Sequence, residues 1–85
     1  MARSRSRPLI ITAEAYDAMI AHCVKGSALA CCGILAGVPP TASVAYPLRN
    51  AASSRVRYVS HPRDMFRAAK DLRARRLEIV AIYHF

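Results

Sequence analysis

The sequence predicts an α/β domain in which a mixed sheet is flanked by helices. Two stretches carry apolar residues at helical spacing, and several short apolar stretches between turn residues are typical of strands. Their order along the chain is β-α-β-β-β-α-β, which favours a layered α/β architecture. With 85 residues and a hydrophobic fraction of 54%, the chain can form one small domain with its own core, so a disordered chain is not expected.

The first predicted elements are a strand and a helix. Residues 8–12 are typical of a short strand, after which Thr12 can cap a helix over residues 13–25. Gly26 suits the position that ends this helix. The i, i+3, i+4, i+7 spacing of apolar residues predicts a core-facing stripe of Tyr16, Met19, Ile20 and Cys23.

A hairpin is predicted next. Residues 29–37 are a candidate buried strand, residues 38–41 form a proline-containing turn, and residues 43–48 are the returning strand. Residues 50–54 are predicted to be loop, and residues 56–59 a further short strand.

The second helix is predicted over residues 63–76, directly after Pro62. Proline suits the first position of a helix because its missing N–H is not needed there. Asp71 and Arg75 are spaced to form an i, i+4 ion pair. The apolar face of this helix is predicted to consist of Met65, Phe66, Ala69 and Leu72. Residues 77–83 then read as the last strand.

The formal net charge of +8 has two interpretations. A basic chain can bind nucleic acid. The alternative is a solvated helix face together with a disordered basic arm over residues 1–8. The six aromatic residues show no pattern typical of base stacking, so nucleic acid is not expected as a partner.

The sequence also predicts a cytoplasmic protein. No hydrophobic signal region follows the basic first residues, and the longest apolar run, residues 28–38, is too short to span a bilayer. The odd number of cysteines, three, does not suggest a disulfide framework.

Four local strings carry a family resemblance. They are ACCGILAG at residues 30–37, YPLRNAA at 46–52, RYVSHPRD at 57–64 and LEIVAIYH at 77–84. With these strings and its order of elements, the chain resembles the prokaryotic branch of the JAMM/MPN-domain (Mov34/MPN/PAD-1-like) zinc metalloproteases from Leu9 onward. The resemblance implies a cytidine-deaminase-like mixed sheet and zinc-dependent hydrolysis of peptide or isopeptide bonds at ubiquitin-like or sulfur-carrier proteins.

The resemblance also implies which site residues this chain has. The family's general-base glutamate falls on Ala30, so no catalytic residue is expected. His84 corresponds to the first zinc histidine, Phe85 takes the spacer position, and the second histidine, the proline, the serine and the aspartate have no counterpart. Residues 9–85 therefore correspond to the N-terminal portion of one JAMM/MPN domain whose C-terminal part is missing. The chain is expected neither to bind zinc nor to be active.

Three functions follow from this reading. The first is a truncated or degenerate, inactive metallopeptidase. The second is a non-catalytic scaffold that binds a ubiquitin-like protein, a sulfur-carrier protein or another MPN protein. The third is a small basic nucleic-acid-binding domain. Because residues 77–83 would form an exposed edge strand, self-association through that strand is also expected.

The remaining histidines and cysteines are predicted to be structural. Adjacent strand residues point to opposite faces, so Cys31 and Cys32 cannot chelate one ion together. Cys23 and one of this pair are expected to fill the core. His22 is predicted to be a surface or boundary residue, and His61 a loop histidine near the start of a helix. Glu78 is expected to face a helix or solvent rather than to catalyse.

Overall fold

A computed structural model of the chain describes residues 8–25, 31–52 and 59–85. Four strands and two helices are present in these ranges: β1 (Ile10–Ile11), α1 (Ala13–Lys25), β2 (Cys32–Val38), β3 (Thr41–Leu48), α2 (Pro62–Arg75) and β4 (Glu78–His84). These six elements occur in the predicted order, in which a further strand was predicted between β3 and α2. The predicted arm, apart from Pro8, lies outside the described residues, as do Gly26 and all but Val59 of the strand predicted at residues 56–59.

The strands form one mixed sheet in the order β1-β3-β2-β4. β1 is parallel to β3, whereas β2 is antiparallel to both β3 and β4. One core cluster joins α1 residues to the sheet, and a second joins α2 residues to it. Successive residues of β2 belong to alternate clusters, so the two helices cover opposite faces of the sheet. The predicted α/β fold with flanking helices is confirmed.

Helix α1 begins as predicted and turns Met19, Ile20 and Cys23 to the core as predicted, but it is rotated far enough to expose Tyr16. The Ala15 N–H donates to Thr12 Oγ1 at 3.2 Å, which confirms the cap. Ala15 and Met19 are buried, whereas Tyr16 is 50% exposed, so the assignment of Tyr16 to the core was wrong. The small side chain of Ala15 occupies the line nearest the sheet, and the larger Tyr16 lies about 100° round the helix from it.

Helix α2 shows a similar difference. Ala68 and Leu72 are its buried residues. The predicted face was wrong for Met65, Phe66 and Ala69, which are exposed.

Two aspartates account for this rotation of α2. Asp64 binds Arg49, just beyond β3, and Asp71 accepts a hydrogen bond from Tyr46 in β3. These contacts hold one flank of α2 against β3, which turns the larger apolar residues away from the sheet. The predicted Asp71–Arg75 pair is present at 3.3 Å on the exposed surface.

Both ends of α2 are capped by specific hydrogen bonds, with a side chain at the start and with the backbone at the end. His61 is the N-cap, and its Nδ1 accepts a hydrogen bond from the Arg63 N–H at 3.2 Å. Arg76 adopts the left-handed conformation at the other end, with φ 56°. The Leu77 N–H then donates to Leu72 O at 2.9 Å, and Leu77 packs against the same core cluster. This is the Schellman arrangement that commonly ends helices.

Strand β4 lies at the edge of the sheet. Within the described residues it pairs with β2 alone, as expected for an edge strand. Ile79 and Ile82 are 51% and 62% exposed. No helix in the described ranges combines the length and apolar character needed to cross a membrane.

Candidate functional site

The functional groups lie at the end of the sheet where β4 finishes. Two pairs of adjacent residues there, Cys31/Cys32 and Tyr83/His84, each place one side chain on either face of the sheet. Cys31 belongs to the core cluster under α1, and Cys32 to the cluster under α2. Tyr83 likewise belongs to the α1 side, whereas His84 pairs directly with Cys32 and so shares the α2 side. The prediction that Cys31 and Cys32 point to opposite faces is confirmed.

On the α2 side, His84 is an exposed residue at the end of β4. The backbone there is held firmly, because Phe85 N–H donates to Cys31 O at 2.9 Å and Cys31 N–H donates to Phe85 O at 3.1 Å. The assignment of His84 as the family's first zinc ligand remains a prediction, and Ala30 lies outside the described residues. Glu78 is exposed at the opposite end of β4, about 20 Å along the strand from His84.

The buried partner of His84 in the ladder is Cys32. Its thiol donates to Leu48 O at 3.7 Å. Burial raises the pKa of this thiol, and the negative charge of Asp64 adds to the effect, whereas a hydrogen bond with Ser60 opposes it. Cys32 is therefore a thiol at neutral pH and is not poised as a nucleophile.

On the α1 side, the structure brings together three groups that no sequence motif connects. Cys23, in the last turns of α1, forms a disulfide with Cys31, and their Cα atoms are 5.5 Å apart. His22 Nδ1 lies 3.4 Å from Cys31 Sγ and 2.8 Å from the Tyr83 hydroxyl. We call His22, Cys23, Cys31 and Tyr83 the α1-side cluster.

The disulfide corrects two expectations. The odd number of cysteines suggested that no disulfide framework is present, but one disulfide is formed. Cys23 was expected only to fill the core, and it is covalently bonded to Cys31. The pairing arises because Cys23 packs toward the sheet near the end of α1 and Cys31 directly precedes β2. His22 is half-buried, which confirms its predicted place at the boundary.

Gly33 gives Tyr83 its position. Tyr83 pairs with Gly33 in the ladder, and a Cβ at Gly33 would overlap the phenol ring. The ring therefore lies over the β2 backbone, with its hydroxyl directed to His22. Burial raises the pKa of Tyr83 to about 12, and burial lowers the pKa of His22. At neutral pH the phenol is thus protonated and the imidazole is neutral, so the hydroxyl can donate to Nδ1.

The α1-side cluster holds the one group of three potential metal ligands found among the described residues. One donor atom each from His22, Cys23 and Cys31 lies within 4.8 Å of the other two. His84 is not part of this group. The sequence signal for the group of His22, Cys23 and Cys31 was the eight-residue separation of the two cysteines, which lie at the end of a helix and the start of a strand.

These features define a small three-layer α/β domain with a histidine at the end of its outer strand. The chain belongs to the family described as prokaryotic homologs of the JAB domain, whose model matches residues 12–84. The resemblance noted from the sequence is therefore confirmed at the level of the family.

A solved structure supports the fold. The solution structure of protein DSY2949 from Desulfitobacterium hafniense superposes with a TM-score of 0.78 at 26% sequence identity. The match covers 91% of this chain and 56% of that one, so the chain spans little more than half the length of that relative. A comparison with curated proteins gave no match.

Proposed function

We propose that this JAB-family chain does not itself hydrolyse peptide or isopeptide bonds. The observation that carries the proposal is Ala30, which stands where the family resemblance places the general-base glutamate. A zinc-bound water needs a group that accepts its proton, and such a group contributes roughly 10²- to 10⁴-fold to the rate. A methyl group cannot accept a proton.

The other acids of the chain do not supply a replacement base. The sequence contains five acidic residues, all in the described ranges. Glu14 and Asp17 lie on α1, across the sheet from His84, and Glu78 lies at the far end of β4.

The two aspartates of α2 already have partners. The hydrogen bonds from Arg49 lower the pKa of Asp64 to about 2. The hydrogen bond from Tyr46 lowers the pKa of Asp71, and Arg75 adds to the effect. A carboxylate whose pKa is lowered is a weaker proton acceptor at neutral pH.

A cleavage assay tests this proposal. The chain is incubated with Zn²⁺ and with a ubiquitin-like or sulfur-carrier protein that has a C-terminal peptide extension, and released peptide is measured by mass spectrometry. We expect no cleavage above the level seen with chelator. Ala30→Glu is the informative variant because it restores the carboxylate alone. Chelator-sensitive cleavage by the unaltered chain that is lost in His84→Ala would overturn the proposal.

A second function, protein binding, is favoured by the exposed edge of β4. No other strand in the described ranges pairs with the outer side of β4, and Ile79 and Ile82, on the α2 face of this strand, are half or more exposed. An unpaired edge of this kind is a template for another strand. We propose that β4 pairs with the same strand of a second copy of the chain.

Light scattering across a concentration series tests the second function. Ile82→Lys should shift the chain toward the monomer, because it places a charge on the exposed face of β4. Phe66→Lys is the matched control, since Phe66 is 66% exposed on α2, close to the 62% of Ile82. A monomer at every concentration, or equal effects of the two variants, would contradict pairing through β4. Complex formation with a ubiquitin-like or sulfur-carrier protein instead would identify a different partner for this edge.

A further inference from the structure

The α1-side cluster has the donor types of a zinc site. Cysteine thiolates and a histidine nitrogen are the ligands that zinc prefers, with Zn–S distances of about 2.3 Å and Zn–N distances of about 2.0–2.1 Å. In a tetrahedral site these bond lengths place a nitrogen and a sulfur about 3.6 Å apart, and two sulfurs about 3.8 Å apart. The observed distance from His22 Nδ1 to Cys31 Sγ is 3.4 Å, close to the first of these values.

The backbone already places the three ligands for a common ion. Cys23 and His22 are neighbours in α1, and Cys31 is fixed by its two backbone hydrogen bonds to Phe85. All three donor atoms lie within 4.8 Å of one another, so reduction of the disulfide need only let the two sulfurs separate. That separation can come from side-chain rotation.

We propose that the chain, when its disulfide is reduced, binds one Zn²⁺ through Cys23 Sγ, Cys31 Sγ and His22 Nδ1. The fourth position is occupied by water. Nδ1 has one lone pair, so Zn²⁺ replaces the hydrogen bond that the Tyr83 hydroxyl, 2.8 Å away, can donate to this nitrogen. The released hydroxyl lies beside the metal. From there it can donate a hydrogen bond to a bound thiolate or to the water, which is how supporting groups orient metal ligands.

Oxidation closes this site. The thiolates of Cys23 and Cys31 lose two electrons and form the S–S bond, while a low-molecular-weight disulfide accepts those electrons, takes two protons from the solvent and becomes two thiols. Zn²⁺ is released because the two sulfurs no longer have the charge or the separation that the ion needs. The disulfide in the structure is the metal-free state of the same residues.

The site is separate from the position that the family resemblance assigns to zinc. His84 lies on the α2 side of the sheet, next to Cys32, whereas the cluster lies on the α1 side. Zinc bound at the cluster would therefore say nothing about hydrolysis, and the two positions can be tested independently.

Zinc titration of the reduced chain tests the proposal. The chain is reduced with a phosphine, desalted without oxygen and titrated with Zn²⁺ against a chromogenic chelator, with Co²⁺ absorption as a second readout. We expect one equivalent of Zn²⁺ and, with Co²⁺, the intense bands of a tetrahedral thiolate site. Cys23→Ser, Cys31→Ser and His22→Ala should each weaken binding by more than the roughly 10- to 100-fold that loss of a supporting group costs.

Two controls make the result specific. Cys32→Ala removes the third thiol, on the opposite face, and should bind zinc as the unaltered chain does. Treatment with a low-molecular-weight disulfide should release the ion, and circular dichroism shows whether each variant folds. The proposal is overturned if the reduced chain binds no zinc, if the oxidised chain binds it equally well, or if His84→Ala weakens binding and Cys23→Ser does not.

Discussion

The two faces of the sheet present similar side chains but organise them differently. At the same end of the strands, the α1 side has Cys31 and Tyr83, and the α2 side has Cys32 and His84. On the α1 side the helix adds His22 and Cys23. Cys23 is bonded to Cys31, and His22 Nδ1 lies 2.8 Å from the Tyr83 hydroxyl and 3.4 Å from Cys31 Sγ. On the α2 side the Cys32 thiol donates a hydrogen bond to a backbone carbonyl within an apolar cluster.

The difference lies in the helices rather than in the strands. Helix α1 points a histidine and a cysteine at the end of the sheet, whereas α2 buries Ala68 and Leu72 and directs its aspartates to β3 and to Arg49. A strand places successive residues on alternate faces, but the covering helix decides whether those residues find polar partners. Substitutions on each face test how independent the two faces are.

Neighbouring core residues of β2 should show the largest effects. Ile34 packs on the α2 side and Leu35 on the α1 side, and both are 2% exposed. Replacing either by alanine should lower the free energy of unfolding by about 2–5 kcal/mol, because each change leaves a cavity. Urea denaturation measures both. A much smaller loss for one variant would show that its face is loosely packed.

Gly33→Ala should affect the α1 side selectively. The added Cβ would overlap the Tyr83 ring, and relieving that overlap should cost about 1–3 kcal/mol of stability. In Gly33→Ala/Tyr83→Ala the added methyl group meets no ring, so the effect of the glycine change should become small. Equal effects in both backgrounds, measured by urea denaturation, would argue against this contact.

Asp64→Asn should weaken the α2 side in a pH-dependent way. Arg49 lowers the pKa of Asp64 to about 2 in the folded chain, below the usual value near 3.8, so the charged form stabilises the fold. At neutral pH the variant should lose about 1–2 kcal/mol, a value reduced by the solvent exposure of Arg49. The difference should be complete above about pH 4 and should fall away as the pH drops through about 2.

Thermal unfolding from pH 2 to 7 measures the difference in stability between Asp64→Asn and the unaltered chain. Asp17→Asn, an exposed position on α1, is the control and should change stability by less than about 0.5 kcal/mol. A constant difference between Asp64→Asn and the unaltered chain across the whole pH range would contradict the role given to the Arg49 pair.

Tyr83→Phe should have the smallest effect. It keeps the ring over Gly33 and removes only the hydrogen bond to His22, so the loss should be about 0.5–1.5 kcal/mol. Calorimetry measures the loss, and His22→Ala with Tyr83→Phe completes a double-mutant cycle. Additive losses in the cycle would mean that the two side chains do not interact.

The sequence was sufficient for the elements but not for their rotation. Helix ends were predictable because Thr12 and Pro62 act locally. The buried faces were predicted only in part. Met19 and Leu72 are buried as expected, but Ala15 and Ala68 were missed because they are buried by close helix–sheet approach rather than by their hydrophobicity. The rotation of α2 also depends on ties from its aspartates to β3 and Arg49, which join residues far apart in the sequence.

The two candidate sites also differ in how far the sequence could predict them. His84 could be picked out because the resemblance to a family extends along a continuous string. The opposite orientation of Cys31 and Cys32 followed from strand alternation alone. The contacts of His22 with Cys31 and Tyr83 could not be predicted, because they require the docked position of α1 on the sheet.

The junction between α2 and β4 has a mechanical consequence. Arg76 is the one residue between the helix and Leu77, and the N–H groups of Arg76 and Leu77 both donate to carbonyls in the last turn of α2. No flexible linker separates α2 from β4, so a displacement of one element is passed on to the other. A partner that pulled on the outer edge of β4 would therefore tilt α2 with it, and strain applied at the rim of the sheet would reach the Asp64–Arg49 contact at the other end of the helix.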